Sequence, residues 1–116
     1  MTMARKTLRP DVTLEVGGEK ILLRPSHEAM EAIERRCDAG FAKLYRRIRD
    51  EDARFSDLAV VIEEASRAGG KRVAYEEALE LAQAHFVDVS RAVFEFIAGA
   101  FGPPPDGAAA NPPPAT

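Results

Sequence analysis

The stretch VTLEVGGEKILL, at residues 12–23, decides the fold. Its first part alternates apolar and polar residues, which is the period of a half-buried β-strand. The Gly17-Gly18 pair that follows tolerates the positive φ angles of a tight hairpin turn. A second apolar run then leads to Arg24 and Pro25. The pattern predicts two antiparallel strands joined by a two-residue turn.

The length of this turn fixes the register of the predicted hairpin. Leu14 is expected opposite Ile21, and Val12 is expected opposite Leu23. Both pairs should lie on the same face of the hairpin. These four side chains should form the buried face. Leu22 points the other way, where it is either lightly covered or free to contact a partner. An isolated hairpin is only marginally stable in water, so this one should pack on helices.

The residues that follow show apolar side chains at helical spacing in four or five short segments. Ser26 is the predicted N-cap of the first helix, and Gly40 is its predicted left-handed stop. A second, strongly amphipathic helix is predicted from Phe41. Ser56 is the predicted N-cap of the third helix, which Gly69-Gly70 should end.

The last helical region is predicted as two helices, over about residues 74–84 and 88–101. No Gly or Pro separates them, so one continuous helix is the alternative. We therefore predict an α+β fold that is mostly α, with an N-terminal β-hairpin followed by four to five short helices. Residues 1–10 should be a flexible arm, residues 11–102 one domain, and residues 103–116, rich in Pro and Ala, a disordered tail.

Composition limits the classes of function. The 116 residues fit a single domain, and a net charge of −3 lacks the basic excess of a protein that binds nucleic acid through phosphates. One cysteine, Cys37, allows no internal disulfide and indicates a reducing, cytoplasmic compartment. No apolar run reaches the roughly 18 residues that span a membrane, and no secretory signal is present.

The candidate catalytic and metal-binding residues all have a simpler structural interpretation. His27 and Glu31 are four residues apart, but without a second histidine the zinc-protease pattern fails. Cys37 falls on an apolar helix stripe and is expected to be a buried thiol, and His85 is expected at a helix junction. The acidic pair Glu63-Glu64 is expected on a solvated face. We therefore predict no enzymatic activity, no cofactor, no metal site and no small-molecule substrate.

Arginines form the densest basic region, with Arg46, Arg47 and Arg49 on one predicted helix and Arg35-Arg36 nearby in sequence. One interpretation is a solvated charged face, which the neighbouring acidic residues 50–52 support. The other is a docking face for an acidic or mixed-charge partner helix. Nucleic acid is not the expected partner, because no aromatic residue interleaves the arginines in a stacking arrangement.

The order of these features resembles the tail assembly chaperones of tailed phages and gene transfer agents, in the branch also labelled phage tail tube protein. The likeness covers about residues 11–105. It rests on the hairpin at 12–24, on the segment AMEAIE at 29–34 and on the ending AFGPPP at 100–105. The arginine-rich segment at residues 41–55 is unusual for such a protein, so its binding face should differ.

The resemblance implies that the chain binds the tape measure protein and keeps its apolar helices soluble during tail assembly. It also implies a place in the cytoplasm of the bacterial host and absence from the mature particle. We expect the partner to contact Leu22 and Phe101, together with Arg46, Arg47 and Arg49. The main alternative is a structural tail or neck subunit that stays in the particle. A nucleic-acid-binding regulator is a weaker alternative, and self-association is compatible with either of the first two.

Overall fold

The computed structural model describes residues 10–100, and the elements follow in the predicted order. The N-terminal hairpin consists of β1 (Val12–Val16) and β2 (Glu19–Leu23). Five helices follow: α1 (His27–Cys37), α2 (Phe41–Arg49), α3 (Phe55–Ala68), α4 (Tyr75–Ala84) and α5 (Phe86–Ala98). The predicted α+β, mostly helical architecture is confirmed. The predicted arm, apart from Pro10, and the predicted tail lie outside the described residues.

The hairpin turn has the backbone that its two glycines allow. Gly17 and Gly18 have φ angles of +56° and +81°, as in the tight turn whose twist matches that of paired strands. Leu14 pairs with Ile21, and the outer pair is Val12 with Leu23, so the predicted register is confirmed. Leu14, Ile21 and Leu23 on the predicted face are buried, and Val12 is half-buried. Strand β1 packs on α5 and strand β2 packs on α3.

A close backbone approach fixes the hairpin to the end of α3. The backbone N–H of Arg24 donates to the carbonyl oxygen of Ala65 at 3.0 Å. A Cβ atom at Gly69 would collide with the carbonyl oxygen of Leu22, so only glycine fits there without a shift of the backbone. Gly69-Gly70 ends α3 as predicted, and Gly70 has a φ of +106°.

The first helix begins as predicted but ends differently. The Ser26 hydroxyl accepts a hydrogen bond from the backbone N–H of Ala29 at 3.0 Å, so the N-cap is confirmed. The prediction for Gly40 was wrong. Asp38 takes the left-handed conformation, with φ of 56°, while Gly40 has φ of −72° and precedes α2. Aspartate tolerates this conformation, so the chain turns two residues earlier than expected.

The prediction that Ser56 caps the third helix was also wrong. The helix begins at Phe55, and Ser56 lies inside its first turn. The Asp57 carboxylate accepts the backbone N–H of Arg54 at 3.0 Å. An ionised carboxylate is a stronger acceptor than a hydroxyl, and it lies near the positive end of the helix dipole, so the helix starts at the position that Asp57 can serve.

The last helical region consists of two helices. His85, with φ of −128° and ψ of 50°, departs from helical geometry and separates α4 from α5. The predicted position of His85 at a helix junction is confirmed, although α5 starts at Phe86, two residues earlier than predicted. The break is made without Gly or Pro.

The central element of the fold is α3, which contacts α1, α4, α5 and β2. Every residue from Asp57 to Ser66 on this helix is buried, including three acidic residues. The second helix, α2, packs on α5 instead, where the rings of Phe41 and Phe96 lie 6.5 Å apart. Within residues 10–100, no helix is long and apolar enough to cross a membrane.

Candidate functional site

The acidic pair Glu63-Glu64 is buried on α3, so the prediction of a solvated face was wrong. One nitrogen of Arg36 on α1 donates to both carboxylates, at 2.9 Å to Glu63 and 2.6 Å to Glu64. Arg72, in the loop before α4, donates to Glu63 at 2.7 Å. These ion pairs join α1 and the α3–α4 loop to the central helix, so the two carboxylates stabilise the packing of these elements.

The charge of Glu63 is maintained in its buried position. Burial acts to raise the pKa of the carboxyl group, but the hydrogen bonds and charges of Arg36 and Arg72 outweigh burial and hold the pKa below its usual value. A carboxylate that stays ionised and saturated with arginine donors is a poor proton donor or acceptor near neutral pH. Glu63 is therefore a structural residue rather than a general acid or base.

The second buried cluster surrounds Asp57. Its carboxylate accepts from the guanidinium groups of Arg47, at 3.3 Å, and Arg54, at 3.0 Å, in addition to the Arg54 backbone. Burial raises the pKa of the neighbouring Cys37 thiol to about 12, and the Asp57 charge contributes to this rise. The thiol is therefore protonated at neutral pH, and the predicted buried cysteine is confirmed.

The remaining candidates for chemistry do not converge in the structure. His27 and Glu31 are exposed on α1, and no group of three or more potential metal ligands occurs within the described residues 10–100. His85 lies at the α4–α5 junction.

A groove between α2 and α5 carries the most distinctive exposed surface. On α2, residues at helical spacing face outward into it: Ala42, Tyr45, Arg46, Ile48 and Arg49. On α5, the outward residues are Phe86, Val87, Ser90, Arg91, Phe94 and Ala98. Together with Glu51 after α2, these residues line two adjacent depressions that share Arg49, and we call the two depressions together the α2–α5 groove. Aromatic, aliphatic and small side chains dominate it, with arginines among them.

Two aromatic contacts lie beside or within the α2–α5 groove. The rings of Tyr45 and Phe94 lie 5.2 Å apart across it. At the N-terminal end of α5, Phe55 and Phe86 meet edge to face at 5.8 Å. Phe86 is nevertheless 48% exposed, and Val87 beside it is 70% exposed. Large apolar side chains exposed together, rather than singly, mark a protein interaction surface.

The structure distributes the residues predicted for partner binding over different places. Arg46 and Arg49 line the α2–α5 groove. Arg47 turns toward α3, where its side chain is 19% exposed and pairs with Asp57. Leu22, 36% exposed, lies on the outer face of the hairpin beside the end of α3. Phe101 lies outside the described residues.

The outward face of α5 was missed by sequence reasoning, although the sequence contains the signal. Val87, Phe94 and Ala98 recur at helical spacing, in parallel with the buried stripe that includes Val93 and Ile97. Part of this second stripe is covered by α2, since the Phe94 ring contacts Tyr45. Val87, at the N-terminal end of the stripe, stays 70% exposed.

Comparison with known proteins gives one family. A family model described as "Phage tail tube protein, GTA-gp10" matches residues 9–102. This match spans the hairpin, all five helices and the α2–α5 groove. No curated protein and no solved structure shows a significant match to the chain.

Proposed function

This chain belongs to the phage and gene transfer agent tail family of the tail tube protein GTA-gp10, and from that premise we propose that it is a tail assembly chaperone. In this proposal it binds the tape measure protein through the α2–α5 groove and keeps the apolar helices of that protein soluble while the tail assembles. The complex forms in the cytoplasm of the bacterial host, and the chain leaves before the particle is complete.

The observation that carries the proposal is the exposed apolar character of the α2–α5 groove. Phe86 and Val87 are open to solvent on a domain whose buried charges are well paired. Exposed aromatic side chains weaken solubility unless a partner covers them, and they are typical anchors of binding energy. A chaperone for apolar helices needs this kind of surface and needs no catalytic pocket.

The distribution of exposed side chains supports a single partner over a polymerising role. A subunit that forms a tube contacts neighbours around each ring and between rings, and so needs at least two pairs of complementary surfaces. Among residues 10–100, three of the four large exposed apolar side chains lie around the start of α5, namely Phe55, Phe86 and Val87. Leu22 is the fourth, on the hairpin.

Co-expression with the tape-measure-like protein that is encoded in the same gene cluster tests the proposal. The tape-measure-like protein should be soluble and co-purify only when this chain is present. The double variant Phe86→Asp with Val87→Asp should abolish co-purification while the circular dichroism spectrum stays that of a folded helical domain. If the partner neither binds nor changes in solubility with the unaltered chain, the chaperone proposal is refuted.

The hairpin provides a matched comparison for the location of the site. Leu22→Asp changes the apolar position on the outer face of the hairpin, and Leu22 does not line the α2–α5 groove. We expect this variant to retain the partner. Loss of binding in the hairpin variant, with retention in the groove variant, would move the site to the hairpin.

A structural tail subunit is the second candidate, and the description of the family as tail tube protein favours it. A structural subunit should be present in purified particles in a fixed ratio to the other tail proteins, whereas a chaperone should be absent. Quantitative mass spectrometry of purified particles separates the two candidates.

A further inference from the structure

We propose that the α2–α5 groove accepts an amphipathic α-helix whose apolar stripe is flanked by acidic residues. The inference rests on the proposed function, since it specifies the chemistry of the segment that the partner presents. It follows from the shape, the charge and the spacing of the groove residues.

The shape of the groove suits a third helix. Its walls are two packed helices, and its outward residues recur at helical spacing on both, as Tyr45 and Arg49 do on α2 and as Val87 and Phe94 do on α5. A helix satisfies its own backbone hydrogen bonds, so it can lie on apolar side chains without burying unpaired N–H groups. An extended segment would find no strand edge on these walls.

The length of the groove sets the length of the occupant. From Val87 to Ala98, the outward stripe of α5 extends for roughly 17 Å at about 1.5 Å per residue. A partner helix of about three turns would cover it. Small residues, Ala42 and Ala98, line the end of the groove opposite Phe86, where they leave room for larger side chains of the partner.

The charge of the groove selects acidic flanks. Arg46, Arg49 and Arg91 line it against one acidic residue, Glu51, although the whole chain has a net charge of −3. Two of these arginines pair with exposed acidic residues close by in sequence, Arg49 with Asp50 just after α2 and Arg91 with Asp88 on α5. Exposed pairs of this kind contribute little stability, so the guanidinium groups can be re-paired with carboxylates of an incoming helix.

Two synthetic helical peptides with the same leucine stripe test the inference. One carries glutamate at every flanking position and the other carries lysine at the same positions. Fluorescence anisotropy with the full chain should show that the glutamate peptide binds at least about tenfold more tightly, since paired charges favour one partner and like charges disfavour the other. Failure of both peptides to bind, or equal binding of both, would overturn the inference.

A charge reversal in the groove provides the matched variant. The double variant Arg46→Glu with Arg49→Glu should invert the preference, so that the lysine peptide binds better. Both side chains lie outside the buried ion pairs, and an unchanged thermal melt would show that the domain is intact. A preference that persists in this variant would show that the groove arginines do not select the partner.

The peptide assay and the co-expression assay test the inference and the chaperone proposal separately. If the glutamate peptide binds but the tape-measure-like protein does not, the inference holds for the groove and the chaperone proposal fails. If the tape-measure-like protein binds through Phe86 and Val87 but neither peptide does, the chaperone proposal holds and the acidic helix is refuted.

Discussion

Replacing Asp57 with asparagine removes the charge on which the start of α3 depends. The side chain of Asp57 is 3% exposed and accepts from Arg47, Arg54 and the Arg54 backbone. Asparagine has the same shape and keeps one acceptor oxygen. The Asp57→Asn variant therefore changes the packing volume little and tests the loss of the charge together with the loss of one acceptor oxygen.

The size of the effect follows from how buried each donor is. A hydrogen bond to a charged group contributes about 1.5–3 kcal/mol, and removing one member of a buried pair costs about 3–5 kcal/mol. Arg47 is 19% exposed, so water compensates part of its loss, and the largely exposed Arg54 adds little. We expect a decrease of about 3 kcal/mol in the free energy of unfolding, which is roughly 10–20 °C in Tm for a domain of this size.

The dependence on pH distinguishes this mechanism from a packing defect. Burial tends to raise the pKa of Asp57, but the hydrogen bonds from Arg54 and the charges of Arg54 and Arg47 outweigh burial and hold the pKa below its usual value. A lowered pKa in the folded state stabilises the domain above the unfolded value, and this stabilisation is lost as the pH falls through the folded value. The difference between the natural chain and Asp57→Asn should therefore narrow below about pH 4.

Urea denaturation at several pH values measures both effects, with Asp50→Asn as the control. Asp50 also pairs with an arginine, Arg49, but its side chain is 59% exposed. The free energy of unfolding of the control at neutral pH should stay close to that of the natural chain, because water screens this exposed pair. Equal losses in the two variants, or a loss in Asp57→Asn that is independent of pH, would refute the reasoning.

Three further predictions follow from buried contacts. Gly69→Ala should lower the free energy of unfolding by about 3 kcal/mol, because the new Cβ atom meets the backbone carbonyl of Leu22. The control Gly40→Ala, where a Cβ atom has room, should lower it by less than about 1 kcal/mol. Equal stabilities of the two variants in urea denaturation would contradict the close approach at Gly69. Cys37 should resist a maleimide reagent at about pH 8 in buffer and react in urea, because its pKa is about 12; rapid labelling of the folded chain would contradict its burial. Glu63→Gln should destabilise the domain at neutral pH, and the effect should fade below about pH 4.5, where the unfolded carboxyl group is protonated; a constant effect in acid melts would exclude an ionic origin.

Sequence predicted the features that depend on neighbours in the chain. The hairpin, its turn at Gly17-Gly18 and its register follow from alternation and turn chemistry over twelve positions, 12–23. The N-cap at Ser26 likewise depends on a residue three positions away. The five helices fall within the predicted range of four to five, whereas the sequence left open the break at His85 that the structure shows.

The features that were missed depend on contacts between distant elements. Glu63 appeared solvated because its donor, Arg36, is separated from it by 27 positions and belongs to another helix. Serine is a favoured N-cap residue, which is why Ser56 was predicted. Instead, the carboxylate of Asp57 accepts the first backbone N–H, because Arg47 and Arg54 stabilise its charge. Arg46 and Arg47 are adjacent in sequence, yet only the fold shows that one lines the groove and the other pairs with α3.

The contact between the first strand and the last helix has a consequence for synthesis on the ribosome. The apolar face of β1 packs on α5, which is translated after every other element of the domain. A hairpin alone is marginally stable, so the nascent chain can close its core only once α5 has emerged. Because α5 also forms one wall of the α2–α5 groove, an unfinished chain lacks the completed groove. Under the proposed function, binding of the partner therefore has to await translation of α5.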